Sequence, residues 1–107
     1  MNLRLTRAAA RFLLEKSDTY RRAGDPETAM LWEVAVDEIF YALLHWPKRG
    51  LPCGFEAGDL TGLRWTAMPR FANHIVFHRY LPEEDTVVLV HVLSGIHHLA
   101  TVLSVER

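Results

Sequence analysis

Apolar and polar positions divide the chain into two unlike halves. Leu3 and Leu5 alternate with Asn2 and Arg4, which predicts a short opening strand. Thr6 suits a helix N-cap, because its hydroxyl can accept from a free backbone N–H of the first turn. From Arg7 to Ala23, Ala9, Phe12, Leu13, Tyr20 and Ala23 gather near one side, and Arg7, Arg11, Glu15, Asp18 and Arg22 fall mostly on the other. That spacing predicts a helix with one buried stripe, ended by Gly24. Asp25-Pro26-Glu27 is a strong helix start, with a cap, a proline suited to the first position and an acid at the positive end of the dipole. Trp32, Ala35, Val36, Ile39, Phe40, Leu43 and Trp46 then recur every three or four residues until Pro47 closes the segment. Two long helices joined by a two-residue break predict an αα-hairpin.

The second half changes period. Residues 47–62 hold Pro47, Gly50, Pro52, Gly54, Gly58 and Gly62, a loop with several turns. Leu63 to Met68, Asn73 to Leu81 and Thr86 to Leu93 predict strands, the last a central one since it is nearly all Val and Leu. Pro82-Glu83-Glu84-Asp85 predicts the turn between the last two. The tail from Ile96 to Arg107 has no clear period. The expected fold is therefore α+β with two layers: an N-terminal strand, then an αα-hairpin packed on a small antiparallel sheet, in the order β-α-α-β-β-β. The helices should cover one face of that sheet and leave the other to water or a partner.

Composition narrows the function. A chain of 107 residues, half of them apolar, is one globular domain. Twelve Lys and Arg against thirteen Asp and Glu leave a net charge of −1, which argues against a phosphate backbone as the main partner. The single Cys53 cannot form an internal disulfide and points to a reducing compartment. The first residues lack the apolar region of a secretory signal, and no apolar run is long enough to span a membrane. A cytoplasmic protein without membrane contact is expected.

The order and spacing of several short motifs resemble the toxins of type II toxin–antitoxin modules, the RelE/ParE superfamily. The motifs are Leu3-Arg4-Leu5-Thr6, Gly62-Leu63-Arg64, Ile75-Val76-Phe77-His78-Arg79-Tyr80 and Val90-His91-Val92-Leu93-Ser94-Gly95. The resemblance covers nearly the whole chain. The last strand of the family commonly reads Arg-Val-Leu-His-Gly, so His91 stands in place of an arginine and Ser94 in place of a histidine; His97-His98 replaces the usual Arg-Asp. The resemblance implies a cognate antitoxin as partner, no cofactor, and one of two activities. A ParE-like toxin inhibits DNA gyrase by binding it and needs no catalytic constellation; the long helices favour this reading, and with it a role in plasmid stabilization. A RelE-like toxin is a metal-independent endoribonuclease that cuts mRNA on the ribosome.

Ribonuclease chemistry requires a base for the 2′-OH, an acid for the leaving oxygen and cations for the phosphate. Arg64, Arg79, His91, His97 and His98 are the candidates for it, and solvated strand arginines with half-buried histidines are the bland alternative. Candidates for contact with a target protein are Arg64, Arg70, Arg79, His97 and His98. His74 and His78, four apart on a strand, would share a face, and His91 on a neighbouring strand would complete three nitrogens for zinc. No carboxylate or thiol stands at a matching interval, so no metal site is expected. Trp32 and Trp46 read as core, and Cys53 as a bystander thiol.

Overall fold

The computed structural model describes residues 1–54 and 61–95. Strand β1 (Asn2–Leu5) leads into helix α1 (Arg7–Arg22), and helix α2 (Pro26–His45) follows. Both helix starts are capped as their sequences predict. The Thr6 hydroxyl accepts from Ala9 N–H at 3.1 Å, and the Asp25 carboxylate accepts from Thr28 N–H at 3.1 Å with Pro26 at the first position. The Thr28 bonds hold the Asp25 carboxyl below the usual carboxylate range. Gly24, at φ 77°, makes the reversal between the helices that a side chain would strain.

Strands β2 (Leu51–Pro52), β3 (Arg64–Met68), β4 (Phe71–Leu81) and β5 (Thr86–Ser94) complete the chain's described part, with a short 3₁₀ turn at Pro82–Glu84. They form one five-stranded sheet in the order β1-β5-β4-β3-β2. The sheet is mixed rather than purely antiparallel: β1 runs parallel to β5, pairing Asn2 with Thr86 through Leu5 with Leu89. The other neighbours are antiparallel. A parallel neighbour on one side and an antiparallel one on the other make β5 an interior strand, which is why its Val/Leu run does not alternate. Two details were not legible in the sequence. The loop contains the two-residue strand β2, and β4 begins at Phe71, two residues before its Ile/Val-rich part.

The αα-hairpin lies across one face. Its core contains Ala9, Leu13, Trp32, Ala35, Ile39 and Leu43 from the helices and Met68, Val76, Val87, Leu89 and Val92 from the sheet. Trp32 is fully buried, and its indole N–H donates to the Leu13 carbonyl at 3.0 Å, so the largest core side chain leaves no orphaned donor. Phe12, Phe71 and His74 surround it at ring-centroid distances of 5.0–6.4 Å. Between the helices, Glu33 accepts from the Ser17 hydroxyl and pairs with Arg21, and these bonds lower its pKa.

The opposite face is not left bare. Leu63, Ile75 and Phe77 are nearly fully buried there, with Cys53, Trp65, Val90 and Leu93 packed against them. Apolar residues of β3, β4, β5 and the loop around β2 thus form a second, smaller core behind the sheet.

Candidate functional site

Strand register decides which of the polar residues can act together. On β4, Val76 belongs to the helix-side core and Phe77 to the far cluster, so alternation puts His74 and His78 with Val76, and Arg79 with Phe77. On β5, Phe77 pairs with His91 while His78 pairs with Leu89, which leaves Val90 as an extra residue in a β-bulge. The carbonyl of that bulged residue accepts from the Thr6 hydroxyl at 2.5 Å, and the Leu89 carbonyl accepts from Thr6 N–H at 3.1 Å. Thr6 therefore serves two elements: it caps α1 and holds the bulge that sets the orientation of His91.

The three histidines do not converge. His91 lies opposite Phe77 on the far face, whereas His74 and His78 share the helix side. Among the described residues no group of three His, Cys, Asp or Glu side chains is placed to hold a metal ion. His78 is completely buried, and neither ring nitrogen has a hydrogen-bond partner among the described residues. Burial, followed by the positive charges of Arg64 and Arg49, pushes its pKa down to about 4. His74 sits among Phe12, Trp32 and Phe71 with Nδ1 3.0 Å from the Asn73 side-chain oxygen, and burial and Lys16 lower its pKa. Both rings are neutral at pH 7.

The arginines are also dispersed. Arg64 registers opposite His78 and donates to the Arg49 carbonyl at 3.3 Å and the Gly50 carbonyl at 3.1 Å, which ties down the loop after α2. Arg70 occupies the tight β3–β4 turn at φ 65° and makes a two-pronged pair with Glu38 of α2, at 2.7 and 3.3 Å, that raises its pKa. Arg79 runs along the far face beside Gly62, where a Cβ would come within 3.8 Å of its Cγ. Arg64 and Arg79 thus fall on alternate sides of the sheet, while Arg79 and His91 share one. His97 and His98 lie outside the described residues. Cys53 is half-buried in the far cluster, and burial raises its pKa despite nearby Arg64, so it is a poor nucleophile.

One group of residues was missed by periodicity. Trp46 is 58% exposed and Tyr41 59%. Trp46 continues the three-and-four spacing of the buried stripe, but Pro47 ends the helix at His45, and the cap residue leaves the helical path with φ −135°. The Tyr41 ring stacks on His45 at 3.9 Å between centroids, Trp46 stands edge-on to Tyr41 at 6.4 Å, and Lys48 and Arg49 follow. Residues 45–49 line a shallow concavity of about 550 Å³. The Trp-Pro junction was the available signal: a residue before proline rarely keeps helical geometry.

Neither protein-family models nor curated protein sequences match the chain. A chain of the chromosomal ParDE TA (toxin–antitoxin) system from P. aeruginosa superposes with a TM-score of 0.66 at 21% identity, over 89% of this chain and 96% of that one. The chain shares the fold of that ParDE-system chain. At that identity it is the backbone path that is shared. No helix among the described residues is long and apolar enough to cross a membrane.

Proposed function

We propose that the chain is the toxin of a type II toxin–antitoxin module, ParE-like in action: it binds and inhibits DNA gyrase in the cytoplasm, and a cognate antitoxin neutralises it. The observation that carries this reading is the near end-to-end superposition on a chain of a ParDE system. The helix pair, 16 and 20 residues long, supports the ParE-like branch, since ribonuclease members tend to have shorter helices. Inhibition by binding also suits a net charge of −1.

The scatter of the basic groups weighs in the same direction. A metal-independent ribonuclease needs its cations and proton-transfer groups around one phosphate. Arg64 and Arg79 alternate across the sheet, Arg70 is held by Glu38, His74 and His78 are buried on the helix side, and the exposed His45 stands apart at the end of α2. Among the described residues, Arg79 and His91, which share the far face, are what the endoribonuclease alternative would retain, with His97 and His98 lying outside them.

The deciding assay adds the purified chain to a gyrase supercoiling reaction and, separately, to a translating extract with labelled message. Blocked supercoiling with intact message is expected. Codon-positioned cuts with normal supercoiling would replace this reading with the ribonuclease one. Calorimetric titration against the product of an adjacent small reading frame tests the antitoxin, and micromolar or tighter binding is expected.

A further inference from the structure

The surface at the end of α2 differs from the rest of the molecule. Tyr41, His45 and Trp46 present three aromatic rings to solvent, and exposed aromatics grouped with cations are the composition of protein-binding hot spots. They stand on a fixed loop. Arg49 N–H donates to the Trp46 carbonyl at 3.0 Å, and Arg64 donates to the Arg49 and Gly50 carbonyls from β3. Gly50, at φ 81°, lies so close to β3 that a Cβ there would be 2.2 Å from the Trp65 carbonyl oxygen. The loop therefore loses little freedom on binding, which raises the affinity available from each contact.

The chemistry of the occupant follows from the lining. His45, Trp46, Pro47, Lys48 and Arg49 line a mostly apolar concavity to which Lys48 and Arg49 bring two positive charges, the Lys48 ammonium standing 6.0 Å from the Tyr80 ring centroid. No carboxylate stands among the lining residues His45–Arg49. A complementary partner carries acidic side chains around an aliphatic or aromatic anchor. A nucleic-acid strand fits less well. Tyr41 and His45 are already stacked on each other, two cations would meet few phosphates, and the whole chain is near neutral.

We infer that Tyr41, His45, Trp46, Lys48 and Arg49 form the docking surface for the toxin's target protein, engaged through an acidic segment with an apolar anchor. This rests on the toxin reading above but assigns a surface that none of the strand arginines or tail histidines includes.

The test uses the full chain, isotope-labelled, and three probes of eight units: a peptide with glutamates around a Leu-Phe pair, the same peptide with lysines for glutamates, and oligo(dT). The acidic peptide should shift the amide and indole signals of residues 41–49. Trp46→Ala should weaken it about 30-fold or more, and Lys48→Glu with Arg49→Glu about 10-fold or more. Arg11→Glu, exposed on α1, should leave it unchanged. The same variants are then run in the supercoiling assay, with antitoxin binding and circular dichroism as evidence of folding. Parallel loss of peptide binding and inhibition supports the inference. Absence of shifts at residues 41–49, or equal or tighter binding of the lysine peptide or oligo(dT), overturns it. Undiminished gyrase inhibition by the patch variants overturns the docking role. If the acidic peptide binds at the patch but the unaltered chain leaves gyrase active, the surface stands and the gyrase target falls.

Discussion

The sheet is covered unequally on its two faces. On the helix side, eleven buried residues from five elements form one continuous core around Trp32. On the far side, Leu63, Ile75 and Phe77 make a cluster built from strands and loop alone. The helix-side core is where the elements are tied to one another, so a void there has neighbours on every side that cannot collapse into it. The far cluster belongs to fewer elements and can adjust. Stability should therefore reside mainly on the helix side, while the far side, with Arg79 and His91, tolerates more change.

Trp32→Ala should break that arrangement most severely, costing about 3–5 kcal/mol through the cavity and the lost bond to Leu13. A chemical-denaturation curve measures it, and a cost below that of Phe77→Ala would reverse the ranking of the two faces. The pH dependence comes next. His78 has a folded pKa of about 4 against an ordinary 6.5, so between these values the unfolded chain binds the extra proton. Stability contributed by the neutral ring is full above pH 6.5, falls as pH drops, and levels off below about 4; the total is about 3 kcal/mol by linkage. His78→Leu should flatten that profile in melts between pH 7 and 4. It should also keep or raise the melting temperature at pH 7, because the two buried, unbonded ring nitrogens of His78 are then gone.

Phe77→Ala should cost about 2–3 kcal/mol, less than the helix-side change, because the smaller cluster relaxes. Thr6→Ala removes the cap of α1 and the bond to Val90 and should cost about 1–2 kcal/mol. The smallest effect is expected at Arg70, where loss of an exposed ion pair to Glu38 is set against relief of its positive φ. Arg70→Gly should leave the melting temperature nearly unchanged, and a large drop would mean the pair does more than hold a turn.

The fold was largely legible from the chain because its local signals agree with its tertiary arrangement. Thr6 and Asp25-Pro26 begin the helices they announce, and the uninterrupted Val/Leu run of β5 occupies an interior strand. What was hidden depends on register. Nothing in Val90-His91 betrays a bulge, yet that one extra residue directs His91 toward Phe77 and away from His74 and His78, dissolving the three-histidine zinc alternative. Trp46 reads as core by spacing alone; only the helix stop one residue earlier exposes it. The parallel pairing of β1 with β5 could not be read from short alternating segments, which specify a strand but not its neighbour. For the candidate site the legible part was smaller. The arginines were identified by type, while their engagement with Glu38 or with loop carbonyls is a property of the folded chain.

That parallel pairing has a consequence for how the protein comes into being. Residues 2–5 find their partners only at residues 86–89, so β1 leaves the ribosome well before β5 and waits for it before it can join the sheet. The hairpin helices can form earlier, but the strand face they cover cannot. A growing chain is thus an incomplete sheet until β5 has been made, and the surface that the sheet presents takes its finished form only then.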